Sequence, residues 1–153
     1  MPDLVTPYVL QDLFLPREFD DEFADQLVSR ATGARQPFAR KIDLWWMAVM
    51  IGVAIGRRTP MPTADKLIKF NTAAILSRDP WRIANLELIA LAEEDDMVIS
   101  DPSKVLTIGN EYAATGLAWL AEELRGSTYP ILDLMTKLHQ VLPSAPTDRK
   151  PSS

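Results

Sequence analysis

The sequence contains no cysteine, one histidine and 6 glycines in 153 residues. Without thiols there can be no disulfide, no cysteine nucleophile and no cysteine-ligated zinc or iron–sulfur centre. A single imidazole, His139, cannot furnish a multi-histidine metal site, and its place near the end of a helical pattern suits the helix dipole better than a catalytic triad. Phosphate loops of the GxxxxGKS type, GxGxxG dinucleotide turns, GxSxG elbows and HExxH zinc motifs are all missing. Long hydrophobic runs are missing too. The longest, Leu44–Ile55, spans twelve residues, whereas a bilayer crossing needs roughly 20. The opening Met1-Pro2-Asp3-Leu4 has no positive segment followed by an apolar one, so no secretion signal is expected. A cytoplasmic location is the expectation.

What remains is a composition of 47% hydrophobic and 24% charged residues, that of a soluble globular chain large enough to build one core. The patterning predicts an all-α fold: a compact bundle of about five or six helices around a central apolar one. A single domain over residues 1–142 and a disordered tail over 143–153, rich in proline, serine and charge, are expected. Tyr8–Leu15 is apolar enough to dock on the core, as one short turn. From Glu18 to Ala31, Phe19, Phe23 and Leu27 recur every four residues, and Gly33 is placed to stop that helix. Asp43 is expected to cap the central helix Leu44–Arg57, apolar on every face, with Gly52 and Gly56 admitting another backbone. Of Trp45 and Trp46, one should face the core and the other a second element or a partner. Thr63 could start a helix through Lys66, Leu67 and Phe70; an extended Leu67–Leu76 is the alternative for residues 63–78. Asp79-Pro80 and Asp101-Pro102 are start signals for helices over Pro80–Glu93 and Pro102–Arg125. The first should bury Trp81, Ala84, Leu88 and Leu91, widened by Ile83, Leu86 and Ala90. The second should bury Val105, Ile108, Tyr112, Leu117, Leu120 and Leu124. Thr128 would cap a last helix, Pro130–Leu142, with Leu134, Met135, Leu138 and Leu142 inward.

Charge is segregated along the chain. Residues 1–29 carry −6, residues 30–82 carry +7 and residues 83–153 carry −6. Two readings follow. In one, the basic centre folds against its acidic flanks and the charges pair at the surface. In the other, Arg40, Lys41, Arg57, Arg58, Lys66, Lys69, Arg78 and Arg82, together with Arg35, include a patch for an acidic partner or a phosphate backbone. An acidic chain is a poor free-standing DNA binder, but a subunit adding a few phosphate contacts within a complex fits.

The acids suggest little chemistry. Glu93-Glu94-Asp95-Asp96 lacks the spaced oxygens and turn glycine of a calcium loop. At a helix C-terminus this run should fray or meet a cation. Glu87 and Glu111 lie within apolar helices, where an acid more often pairs with an arginine than serves as a base. No catalytic residue, metal or cofactor is assigned.

Three segments carry a resemblance: Lys41–Arg58 (KIDLWWMAVMIGVAIGRR), Ile83–Asp96 (IANLELIALAEEDD) and Ile108–Leu124 (IGNEYAATGLAWLAEEL). In this order they resemble small helical proteins associated with bacterial DNA phosphorothioation (Dnd-type) defence loci, the matching positions being Ala48–Gly56, Leu88–Asp96 and Glu111–Leu117. Trp45-Trp46 and the Arg57-Arg58 ending depart from that pattern. The resemblance implies an accessory protein of a multi-subunit restriction or anti-phage system, and it carries over no catalytic residues. The expectation is therefore a non-enzymatic subunit that binds other proteins of such a complex, and nucleic acid through it, with no membrane contact and self-association left open. Two alternatives stand beside it. One is a phage-encoded inhibitor presenting acidic surfaces; the other is a carboxylate-dependent phosphoesterase in which Glu87, Glu111 and an acid from 93–96 converge.

Overall fold

The computed structural model describes residues 6–31 and 35–142. The expected stop at Gly33 and the tail over 143–153 lie outside the described residues. Five helices dominate: α1 (Arg17–Leu27), α2 (Lys41–Ile55), α3 (Pro80–Glu93), α4 (Pro102–Leu124) and α5 (Pro130–Val141). None is long and apolar enough to cross a membrane. The fold is mostly helical, as expected, with one small addition: two short strands, β1 (Asp12–Pro16) and β2 (Leu67–Thr72), pair antiparallel.

For residues 63–78 that pair decides for the extended alternative over the helix, and it replaces the single turn expected over 8–15. Leu13 and Leu15 are wholly buried while Asp12, Phe14 and Pro16 are partly exposed, the period-2 signature of a half-buried strand. Ile68, Phe70 and Thr72 suit a pleated surface. The backbone partners of this segment lie about fifty to sixty residues away in the chain, and local periodicity cannot register such a pairing. Asp12 faces Thr72 and Leu13 faces Asn71, but Phe14 faces Lys69, so Phe70 is the extra residue of a bulge. Only 3₁₀ turns, Ala64–Lys66 and Ala73–Arg78, flank β2.

The core is organised on α2 and α4. A Cβ on Gly52 would stand 2.0 Å from the Tyr112 carbonyl oxygen, and one on Gly116 would stand 1.9 Å from that of Ala48. The two backbones are thus in direct contact, with a glycine from each helix making room for the other. Gly56, expected to do the same, instead takes φ 77° beyond the end of α2 with open space around it. It is a left-handed C-cap. α2 is enclosed over most of its length, with Leu44, Trp45, Ala48 and Val49 fully buried, but Val53 and Ile55 in its last turn are exposed. It begins earlier than predicted, at Lys41, so Asp43 is a first-turn residue rather than the cap. It also ends before Arg57 and Arg58, which do not close it. Both tryptophans are buried, with Trp46 edge-on to Trp81 of α3 at 5.5 Å.

The six residues expected to face inward from α4 are all buried, and Asp101 caps that helix by accepting from the Lys104 backbone N–H at 3.1 Å. Phe19, Phe23 and Leu27 of α1 are buried, but the helix stops at Leu27, where Val28 and Phe38 form a short parallel bridge: the Ser29 N–H donates to the Phe38 carbonyl and the Phe38 N–H to the Leu27 carbonyl. α3 has the predicted limits; of the residues expected inward, Ile83, Leu86 and Ala90 are buried, together with Arg82, whereas Trp81 and Leu88 are exposed. In α5 only Leu134 of the predicted stripe is buried; Met135 and Leu142 face outward, and Thr128 does not cap the helix.

Candidate interaction surfaces

The N-terminal ends of α2 and α3 meet in a mixed aromatic and ionic cluster. Arg40 grips Asp43 with two parallel hydrogen bonds, Nε to Oδ2 at 3.0 Å and Nη2 to Oδ1 at 2.9 Å. Asp79, which leaves the α3 terminus uncapped, lies 3.6 Å from Arg40 instead. Arg82, only 8% exposed, donates from Nη2 to Asp43 Oδ1 at 3.1 Å. Its guanidinium sits 5.7 Å from the Trp46 ring centre and 5.3 Å from that of Trp81, within cation–π range. The Arg82 Nε and Nη1 groups have no hydrogen-bond acceptor among the described residues, consistent with a guanidinium held against two indole faces. Burial tends to raise the Asp43 pKa, but hydrogen bonds from Arg40 and then Arg82 outweigh it and hold the carboxyl below its ordinary value.

A second cluster forms where the end of α2 meets α3 and α4. Arg58 Nε lies 3.7 Å from Glu111 Oε2 and 4.0 Å from Glu93 Oε2. The Tyr112 hydroxyl donates to Glu93. Burial, then that hydrogen bond to Glu93, push the phenol up to about 12. Glu111 thus has the arginine partner expected of an acid in an apolar helix. Glu87 is engaged elsewhere, accepting from the Tyr8 hydroxyl at 2.7 Å. Two more acids of the run at the α3 terminus find partners: Glu94 lies 3.3 Å from Lys104, and Asp95 accepts from the Met97 backbone N–H. Among the described residues no three histidine, cysteine, aspartate or glutamate side chains are grouped to hold a metal ion.

Of the eight basic residues singled out as partner or phosphate contacts, five are engaged within the chain. Arg40 and Arg82 share Asp43, Arg58 bridges Glu93 and Glu111, Lys41 lies 2.7 Å from Asp20, and Lys69 lies 2.8 Å from Asp12. Three of these residues, Lys41, Lys69 and Arg58, tie the basic middle of the chain to its acidic flanks. Arg57, Lys66 and Arg78 are exposed with no ion pair among the described residues, and they belong to three separate segments.

The apolar surface is more concentrated than the basic one. On α3, Trp81 is 52% exposed and Leu88, two turns on, is 64% exposed, with Ala84 and Leu91 half-buried beside them. Met97 and Ile99 continue the exposed apolar surface in the 3₁₀ turn that follows. A second group on α5 comprises Leu132 and Met135 with Tyr129, over which Arg35 is placed at 5.7 Å. Helical periodicity placed Ile83, Leu86 and Ala90 inward together with Trp81 and Leu88; what it could not tell is that the first three fill the core while Trp81 and Leu88 face outward.

Residues 18–150 match the family described as DNA sulphur modification system-associated protein 4, and the chain belongs to that family. The family match bears out the resemblance to Dnd-type accessory proteins. No curated protein and no solved structure matches the chain.

Proposed function

We propose that this member of the DNA sulphur modification system-associated protein 4 family is a non-enzymatic helical subunit that acts by binding another protein of its system. The docking surface is the outward stripe of α3, centred on Trp81 and Leu88 and continued by Met97 and Ile99. One observation carries this reading: a tryptophan and a leucine at helical spacing stand in solvent on a helix whose opposite face already supplies the core. Exposed apolar side chains in a contiguous row mark interaction sites, and tryptophan at their centre is a frequent hot spot. Arg82 and Trp46 support Trp81 from below, so the indole is held in place before a partner arrives, which lowers the entropy cost of docking.

Internal pairing of most of the basic residues favours a protein partner over a phosphate backbone, and any nucleic-acid contact would come through Arg57, Lys66 and Arg78. Family membership supports a place in the modification system, with a role in defence against foreign DNA, over the phage-inhibitor reading. The phosphoesterase reading keeps only Glu93 and Glu111 together. Arg58 is between them, where a divalent cation would have to sit.

Co-expression of the tagged chain with the other proteins of the system, followed by size-exclusion chromatography with light scattering, tests the proposal. A complex with at least one of them is expected, weakened about tenfold or more by W81A/L88A, the loss of a typical hot spot. A chain that stays monomeric in the presence of all of them overturns it.

A further inference from the structure

We infer that, when no other protein of the system occupies it, the outward stripe of α3 is covered by the same stripe of a second copy of this chain, the two helices running antiparallel about a two-fold axis. This pairing rests on the reading of that stripe as a docking surface and names what fills it in the free chain.

The stripe is electrically polarised. Its N-terminal end carries Arg40, Arg78 and Arg82, with Asp43 and Asp79 among them. Arg78 is the surplus: it precedes Trp81 by three residues and is exposed, with no ion pair among the described residues. At the C-terminal end Glu93, Glu94, Asp95 and Asp96 follow one another. The cations beside them are Lys104 and Arg58, and Arg58 is shared with Glu111. Asp96 is exposed and has no ion pair among the described residues. The α3 dipole adds in the same sense, positive at the arginines and negative at the acids. An apolar stripe with one positive and one negative end fits a copy of itself after a half-turn, because a two-fold axis across its middle sets each end on its opposite. A phosphate backbone, of one sign throughout, would be repelled at the acidic end.

Side-chain sizes match in the same arrangement. The exposed residues of α3 include Trp81, Asn85, Leu88 and Ala92, spaced by four, three and four as in the seam of a coiled coil. A two-fold axis passing between Leu86 and Glu87 sets Trp81 on Ala92 of the second copy and Leu88 on Asn85, so that a large residue meets a smaller one in every layer. The same rotation sets Arg78 on Asp95 with Asp96 beside it, and carries the exposed Met97 of the second copy toward the Trp81 end. Asn85, the polar member of the seam, lies near the axis, where such a residue favours one register over its slips. A seam this short falls below the size of a standard interface, which places the association in the micromolar range and lets a tighter partner displace it.

The test is sedimentation velocity and light scattering on the full chain alone, from about 5 to 500 µM, a range that brackets micromolar association. A dimer is expected, weakened about tenfold or more by W81A/L88A. R78E and D96R, both at exposed positions, should each weaken it several-fold by placing like charges together at both ends of the pair. An equimolar mixture of the two variants should recover most of the loss, because one end of the mixed pair is native and the other is reversed on both sides. Circular dichroism checks that each variant folds. A chain monomeric throughout the range overturns the pairing, as do a dimer indifferent to W81A/L88A and a mixture that regains nothing. A chain that is monomeric alone yet binds another protein of the system through Trp81 overturns this pairing and leaves the docking reading standing. A dimer through α3 that binds none of those proteins does the reverse.

Discussion

At the scale of single residues, two kinds of position have consequences out of proportion to their size. Gly116 is one, because a Cβ there would collide with the Ala48 carbonyl and the obstacle is backbone rather than a movable side chain. Gly116→Ala is expected to cost about 3 kcal/mol, the upper range for overpacking, read as a lowered urea midpoint; Gly56→Ala would test the φ 77° cap without any clash. Asp43 is the other kind, a carboxylate shared by Arg40 and the buried Arg82. Asp43→Asn leaves an oxygen to accept from Arg82 but removes the negative charge that both arginines share and replaces the second acceptor by an NH2 group. Breaking a partly buried pair in this way should destabilise by about 2–3 kcal/mol. The pH dependence has a definite sign. The folded carboxyl titrates below its unfolded value of about 3.9. Its stabilisation is therefore complete above that pH and is lost as pH falls through the lower folded value. Urea midpoints measured from pH 5 to pH 2 should fall less steeply in Asp43→Asn than in the parent chain.

At the scale of elements, the bulge in β1–β2 and its support deserve a test of their own. Where the register shifts at Phe14, its backbone N–H finds the Asn110 amide oxygen at 3.5 Å, and the same oxygen accepts from Trp45 Nε1 at 3.1 Å. One buried side chain of α4 thus satisfies a donor in the sheet and a donor in α2. Asn110→Leu keeps the volume but strands both donors, and a loss of about 2–3 kcal/mol is expected from chemical denaturation. Hydrogen exchange at the Phe14 amide should accelerate more than at Leu15, which distinguishes loss of this contact from general loosening. On α3 the sequence was legible in limits and type but not in facing. Both candidate stripes, one through Trp81 and Leu88 and one through Ile83, Leu86 and Ala90, satisfy helical periodicity. The choice between them depends on which face α4 and the Ala73–Arg78 turn cover. β2 illustrates the opposite failure: its residues suit a strand, but only β1, distant in the chain, makes the strand worth forming.

At the scale of the molecule, the three charge blocks of the chain neutralise one another in space. Lys69–Asp12 and Lys41–Asp20 are direct instances. Pairs this exposed contribute about 0–1 kcal/mol each, so their role is to cancel fields more than to supply stability. Charge reversal at one end, Asp12→Lys, should cost about 0.5 kcal/mol, and adding Lys69→Asp should recover most of it in a double-mutant cycle of urea midpoints at low salt. The same cycle at high salt should show little coupling.

Composition and periodicity alone determined that this is a mostly helical chain with α2 at its centre and where α3 and α4 begin; the family resemblance came from three motif segments. These are local or compositional properties, set by residues within a few turns of one another. Only the tertiary structure decided that residues 67–72 form a strand, that α3 turns its tryptophan outward, that Gly52 and Gly116 rather than Gly56 admit the facing backbone at the helix crossing, and that five of the eight candidate basic side chains are paired within the chain. Each of these depends on a contact between segments far apart in the chain, and such contacts are selected by packing and charge in three dimensions.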